Sequence, residues 1–298
     1  MRKCRFCKST LSRTFADLGM SPLSNSFVDK NDAEKKENFY PLRAYVCAEC
    51  FLVQLPEYNS PEEIFSEYAY LSSYSDSWVK HAEEYTNMMI KRFGYDGKSQ
   101  IIELGSNDGY LLQHFIKRNI PVLGVEPAKN VAKVAIEKGI PTRIEFFNSR
   151  TAEKMKNEGQ MADLLLGINF LAQIPDLNDF LDGMKTILKP EGVITIEFPH
   201  LFQLIEKNQF DTIYHEHFSY FSFITIEKIF KSHGLTIFDV EELPTHGGSL
   251  RIFAKHSDNR THKVTTNIVK LQKVELGAGL DRLEAYQNFD ERVRETKR

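Results

Sequence analysis

Cysteine is scarce, with four in 298 residues, and that excludes a disulfide scaffold for a chain of this length. No apolar run approaches the roughly eighteen residues needed to cross a bilayer, so no transmembrane helix is expected. The opening stretch Met1-Arg2-Lys3-Cys4-Arg5-Phe6-Cys7 lacks the apolar core of a secretory leader. A basic excess is also missing: 38 lysines and arginines face 41 acidic residues, so nothing electrostatic points to nucleic acid or an anionic membrane as partner. What is present is ordinary for a soluble globular chain, with 42% hydrophobic and 27% charged residues. The length fits one large or two modest domains.

All four cysteines lie in the first fifty residues, as Cys4-x-x-Cys7 and Cys47-x-x-Cys50. Each pair sets two thiolates on one tight turn, and two such turns can close a tetrahedral shell with sulfurs about 2.3 Å from zinc. The expected compartment is the cytoplasm, where thiols stay reduced and paired cysteines more often hold metal than bridge each other. The 39 residues between the pairs exceed the roughly 15–20 of a compact ribbon, so strands or a loop are expected between them. The alternative, a redox pair, is disfavoured because no βαβ pattern flanks either one. Four thiolates leave no open position, so the zinc reads as structural. This unit is expected to end near Tyr58, where Asn59-Ser60-Pro61-Glu62-Glu63 offers a cap and a proline for a helix start.

From Tyr85 short apolar runs alternate with amphipathic segments, the pattern of a mostly parallel sheet. Strands are predicted at 100–104, 122–125, 162–166, 193–197, 235–240 and 249–254, with helices at 110–118, 130–138 and 177–188. Lys189-Pro190-Glu191-Gly192 is expected to break the chain before the next strand. The first strand runs into Glu103-Leu-Gly105-Ser-Asn107-Asp108-Gly109, an acidic, glycine-bearing turn that brings a ligand close to backbone. Glu126 follows at the end of the next strand, where a carboxylate can accept both ribose hydroxyls. A dinucleotide fingerprint has a second early glycine for the diphosphate. Asn107 holds that position here and Asp108 follows. A carboxylate repels diphosphate but suits a sulfonium and an ammonium, so S-adenosylmethionine fits better than NAD. A plain strand-to-helix turn with a capping glycine is the simpler alternative.

The chain resembles the sugar C-methyltransferases that act on nucleotide-linked 4-keto-deoxysugars. The resemblance rests on both cysteine pairs, Ser21-Pro-Leu-Ser-Asn25, Tyr68-Ala-Tyr70-Leu-Ser-Ser73, the Glu103–Gly109 turn, Tyr214-His-Glu-His217 and Thr245-His-Gly-Gly-Ser-Leu-Arg251, in this order over nearly the whole chain. It implies a class I (Rossmann-like) α/β methyltransferase with a small N-terminal four-cysteine zinc-binding domain, using S-adenosylmethionine on a nucleotide-sugar. The expected division is a zinc-binding domain at 1–58, a helical linker at 59–84, the methyltransferase domain at 85–258, and at 259–298 a helical segment. That last segment, with Val269, Leu271, Val274, Leu276 and Leu280 among charges, resembles only the start of the family's third domain, which helps hold the nucleotide-sugar. One departure is Gln173, where the family commonly has a histidine near the reacting sugar; glutamine donates a hydrogen bond but exchanges no proton at neutral pH. Asn169 matches a family position near the methyl donor.

Carbon becomes nucleophilic once a proton beside a carbonyl is removed, so carbon methylation needs a base and a stabiliser of the enolate oxygen. Tyr214-His215-Glu216-His217 concentrates two imidazoles, a carboxylate and a phenol, and histidine titrates near physiological pH. By the resemblance, His217 is the base, Glu216 orients it or contacts the sugar, and Tyr214 lies near the enolate or the methyl group. Tyr70, or else Tyr68, would supply a second phenol from the linker, although core packing accounts for either equally well. His246 and Ser249 are secondary candidates. In an extended chain His215 and His217 would share a face as a metal pair or as surface histidines. The competing functions are O- or N-methylation of a metabolite and a non-catalytic zinc-stabilised binding module.

Overall fold

The computed structural model describes residues 2–296. Three short strands open the chain: β1 (Arg13–Ser21), β2 (Tyr40–Val46) and β3 (Val53–Gln54). Eight more follow: β4 (Ile101–Leu104), β5 (Val122–Val125), β6 (Thr142–Arg143), β7 (Ala162–Ile168), β8 (Leu188–Pro199), β9 (Ser219–Tyr220), β10 (Leu235–Leu243) and β11 (Ser249–His256). They form two sheets. The larger has the order β10-β11-β8-β7-β4-β5-β6, with β11 antiparallel to both its neighbours and the strands from β8 to β6 parallel. The chain leaves β4 toward β5 on one side and returns through β7 on the other, so the switch in strand order lies between β4 and β7. Ligands of open α/β sheets bind at the carboxyl ends of strands at such a point.

Each predicted strand has a counterpart, and the largest difference is at β8. Lys189–Gly192, expected to end one element before the next, lies inside the strand. Ala162 pairs with Leu188 and Leu164 with Val193, so these four residues bulge out of the register while pairing resumes on both sides. Gly192 is required there: a Cβ on it would meet the Ala162 carbonyl oxygen at 2.8 Å. Helices Ser149–Asn157 and Leu201–Glu206 were not predicted; the first buries only Thr151, Ala152 and Met155, and the second is six residues long.

The smaller sheet, β1-β2-β3-β9, is antiparallel. Its fourth strand comes from the central unit, through Val53 opposite Tyr220. Its open face is covered from the far end of the chain, where Phe289 stacks on Phe15 at 4.5 Å and Tyr286 meets the same ring edge-on at 6.2 Å. The expected limit at Tyr58 therefore separates segments that share one sheet and one core. The expected boundary between 84 and 85 falls inside an 18-residue helix, Asp76–Phe93, capped by the Ser75 hydroxyl, which accepts from Trp78 N–H, and ended by Gly94 at φ 73°. That helix packs Ala82, Tyr85 and Met89 into the sheet's core. Residues 76–84 of the expected linker therefore belong to a helix packed on this sheet.

Along the C-terminal segment, helix Thr266–Gly277 buries Ile268, Leu271 and Glu275, whereas Val269, Val274 and Leu276 are exposed. Glu275 is fully buried and clamps the start of helix Phe223–Ser232, accepting from Phe223 and Ile224 N–H at 2.6 and 2.8 Å and pairing with His200 Nε2 at 2.6 Å. Among the described residues no helix is long and apolar enough to cross a membrane.

Candidate active site and metal centre

The four cysteine sulfurs lie within 4.8 Å of one another, with Cys4 and Cys50 3.6 Å apart and Cys7 and Cys47 3.4 Å apart. Zinc bonds of about 2.3 Å give a tetrahedron whose sulfurs are roughly 3.8 Å apart, so these side chains fit the ion. Hydrogen bonds, first from Cys47 and then from Cys50, hold the Cys4 thiol well below its ordinary range and favour the thiolate a metal needs. Among the described residues the ligand group is these four cysteines, and four thiolates fill a tetrahedral shell, the pattern of a structural zinc.

A cavity of about 690 Å³ opens at the carboxyl ends of β4, β5 and β7, within the size range of small-molecule sites. Of the residues predicted to hold the methyl donor, Gly105, Asn107, Glu126 and Asn169 are on its wall. Glu126 accepts the N–H groups of Asn107 and Ala128, each at 2.9 Å. Burial raises its pKa against those two bonds. Asn169, at φ 55° after β7, buries an Oδ1 that has no partner among the described residues, an acceptor suited to a bound group.

Three predicted donor residues are elsewhere. Glu103 is fully buried beneath the turn with neither carboxyl oxygen paired among the described residues; burial, then the Glu126 and Asp108 charges, push it well above the usual carboxylate range. Asp108 does not face the cavity: it accepts from the Ser73 hydroxyl and pairs with Lys138 at 3.0 Å. The cation that suits it is a lysine of this chain, because the helix ending at Glu137 returns beside the turn. Gly109 is a packing glycine rather than an approach for ligand, since a Cβ there would come within 2.1 Å of Ile140 Cδ1.

The Tyr-His-Glu-His segment is a turn rather than extended chain, closed by the His217 N–H to the Tyr214 carbonyl at 3.0 Å. The turn sends the two histidines apart, which removes any metal pair: His215 bonds the Pro41 carbonyl at 3.3 Å, and His217 meets the Tyr214 hydroxyl at 2.7 Å through Nε2. His217 also bonds the Thr212 backbone. With the Nδ1 proton on that backbone carbonyl, Nε2 would accept from the phenol. Tyr214 is on the cavity wall and His217 is behind it, buried. The predicted base thus reaches the cavity only through Tyr214. Burial raises the Tyr214 phenol, with the Glu216 charge adding to it, and lowers His217 to about 4.

Glu216 is buried and held by three donors. It accepts from Asn25 Nδ2 at 2.7 Å, Ser24 Oγ at 3.0 Å and the Tyr68 hydroxyl at 3.3 Å. Burial raises its pKa while these bonds oppose the shift. Tyr68, not Tyr70, is the phenol tied to this turn, and Gln173 shares it. Tyr70 lines the wall at 47% exposure and gives its carbonyl to Asn107. His246 is also on the wall, at φ 51° and 3.4 Å from Asn169. Ser249 is buried and bonds the Thr245 carbonyl. Sequence reading missed Ser24 and Asn25 as partners of Glu216, although their segment was singled out. It also missed Trp78, which lines the cavity, stacked at 5.0 Å on His81. His81 is held by Glu197 at 2.8 Å, and Glu197 by Arg251.

A stability effect follows from His217. The unfolded chain, with an ordinary value near 6.5, binds this proton before the folded one does. Its contribution is therefore complete above pH 6.5 and lost as pH falls toward 4, about 3 kcal/mol in all. Unfolding free energies at pH 7 and 4.5 should differ less in His217→Gln than in wild type; equal slopes would contradict this.

Strand order, antiparallel β11 and a cavity over the β4 turn define a class I S-adenosylmethionine-dependent methyltransferase. The chain belongs to the C-methyltransferase family: residues 4–65 match its zinc binding domain, 78–240 a methyltransferase domain and 244–298 the C-methyltransferase C-terminal domain. It is 33% identical to the C-methyltransferase NovU of Streptomyces niveus over 98% of this chain and 70% of that protein. A ubiquinone biosynthesis O-methyltransferase of Bartonella bacilliformis is 27% identical over 33% of this chain and 40% of its own length. Among solved structures, the PH0226 protein of Pyrococcus horikoshii OT3 is similar in fold, with a TM-score of 0.50, 13% identity, and coverage of 67% of this chain and 99% of that one.

Proposed function

We propose that this C-methyltransferase methylates the carbon beside the carbonyl of a nucleotide-linked keto-deoxysugar, through an enolate, in the cytoplasm. The observation that carries the reading is the Tyr214–His217 hydrogen bond, with the phenol on the cavity wall and the imidazole Nε2 buried behind it. The phenol oxygen takes the proton from carbon while its own proton passes to His217 Nε2. Oxygen or nitrogen acceptors need no such carbon-acid relay. Tyr68, Gln173 and the Glu216 cluster form a polar patch facing the sugar's carbonyl and hydroxyls. S-adenosylmethionine supplies an electrophilic methyl group when bound. Gly105, Asn107, Glu126 and Asn169 would hold it, with Glu126 on the ribose. The sugar and its nucleotide follow from the family resemblance.

Solvent deuterium should enter nucleotide-linked 4-keto-deoxysugars beside the ketone without any donor present. Failure of exchange on every keto-sugar that binds would sink the enolate route. For the donor, Glu126→Ala should weaken S-adenosylmethionine binding about 10–100-fold by calorimetry, as expected for charged hydrogen bonds of about 1.5–3 kcal/mol. An unchanged affinity would remove Glu126 from the donor site.

A further inference from the structure

Arg5 lies inside the first cysteine pair, yet its side chain serves the cavity wall. Its guanidinium donates through Nη1 to the Pro175 carbonyl at 2.7 Å and through Nη2 to the Leu55 carbonyl at 2.6 Å. It also lies 5.3 Å over the Phe218 ring. The three segments it touches are bonded to one another: Leu55 N–H donates to Phe218, and Phe218 N–H to Ala172 at 2.7 Å. At the other end the knuckle fixes Arg5. Its N–H donates to Gln54 Oε1 at 2.9 Å, and Gln54 Nε2 meets Cys4 Sγ at 3.2 Å. Asn178 Nδ2 donates to the Phe6 carbonyl at 3.0 Å, tying the helix after Pro175 to the same knuckle.

The segments held this way bear the acceptor side of the cavity. Gln173, Ile174 and Pro175 line it, and Phe218 directly follows the Tyr214–His217 turn. A planar fork that fills two carbonyls on separate segments fixes their separation; a lysine can satisfy one of them but not both in that geometry. We propose that Arg5 is a positioning residue that carries the fixed geometry of the zinc knuckle to residues 172–175 and 214–218. Calling this side the acceptor side rests on the function proposed above; the coupling itself does not.

Hydrogen exchange read by mass spectrometry on the zinc-loaded full chain tests the coupling without an acceptor. Arg5→Met should keep about one zinc per chain and bind S-adenosylmethionine within about threefold of wild type, since Gly105, Asn107 and Glu126 lie on other segments. Peptides covering 171–175 and 214–218 should exchange roughly tenfold faster, while those of β5 and β7 stay as they were. Arg5→Lys, which can satisfy one carbonyl, should recover part of the protection. Unchanged exchange in both segments would overturn the proposal, and so would equal acceleration in β5 and β7. Loss of zinc from both variants would overturn it too, because Arg5 would then serve the knuckle alone. With an acceptor that turns over, kcat/KM for it should fall about tenfold in Arg5→Met with the donor KM little changed; failure to find such an acceptor leaves the exchange result standing.

Discussion

His217→Gln and Tyr214→Phe should each slow deuterium entry beside the ketone by about 10²–10⁴-fold, the usual worth of a positioned general base. Both substitutions keep shape: phenylalanine removes only the hydroxyl that bonds Nε2 at 2.7 Å, and glutamine leaves a polar group in the buried site. The two losses should not add, because either change breaks the same relay. Tyr214→Phe with His217 intact is the sharper test. If the imidazole met substrate directly, losing the phenol would cost little; since His217 lies behind Tyr214, the cost should match that of losing the imidazole. Donor affinity, read by calorimetry, should stay near wild type in both. Full exchange in Tyr214→Phe would remove the phenol from the proton path.

Zinc removal should have the other large effect. Structural zinc contributes on the order of 10 kcal/mol of binding free energy in small domains, much of it folding free energy. Chelation, or Cys50→Ser, should empty the site and lower the thermal midpoint by roughly 10 °C or more, the equivalent of at least about 5 kcal/mol. The damage should spread. β3 pairs with β9 two residues beyond His217, and Phe289 rests on Phe15, so the Tyr214–His217 turn and the C-terminal helices should loosen with the knuckle. A zinc-free chain with an unchanged midpoint would show that the cysteines are dispensable to the fold.

The fold was legible to the extent that it was local. Mostly apolar runs of four or five residues, each followed by glycine or a carboxylate, located β4, β5 and β7, because a strand buried on both faces is written as an apolar run. The bulge at Lys189–Gly192 was not, since proline and glycine mark a break and a bulge alike. The metal site was fully legible: thiolates paired across two intervening residues, twice over, leave few other uses. The donor turn was half legible. Gly105, Asn107 and Glu126 face the cavity, but Asp108 met Lys138 and Gly109 met Ile140, partners about thirty residues away that no local pattern names.

The sequence by itself determined which groups the protein owns: four thiolates for zinc, a donor turn on a parallel strand, and a phenol, a carboxylate and an imidazole within four residues. Only the tertiary structure decided their order in space. The turn at 214–217 put the phenol in front of the imidazole, and Ser24 and Asn25 crossed from the zinc unit to hold Glu216. Side-chain identity is encoded residue by residue, whereas reach and burial depend on which distant segments pack together.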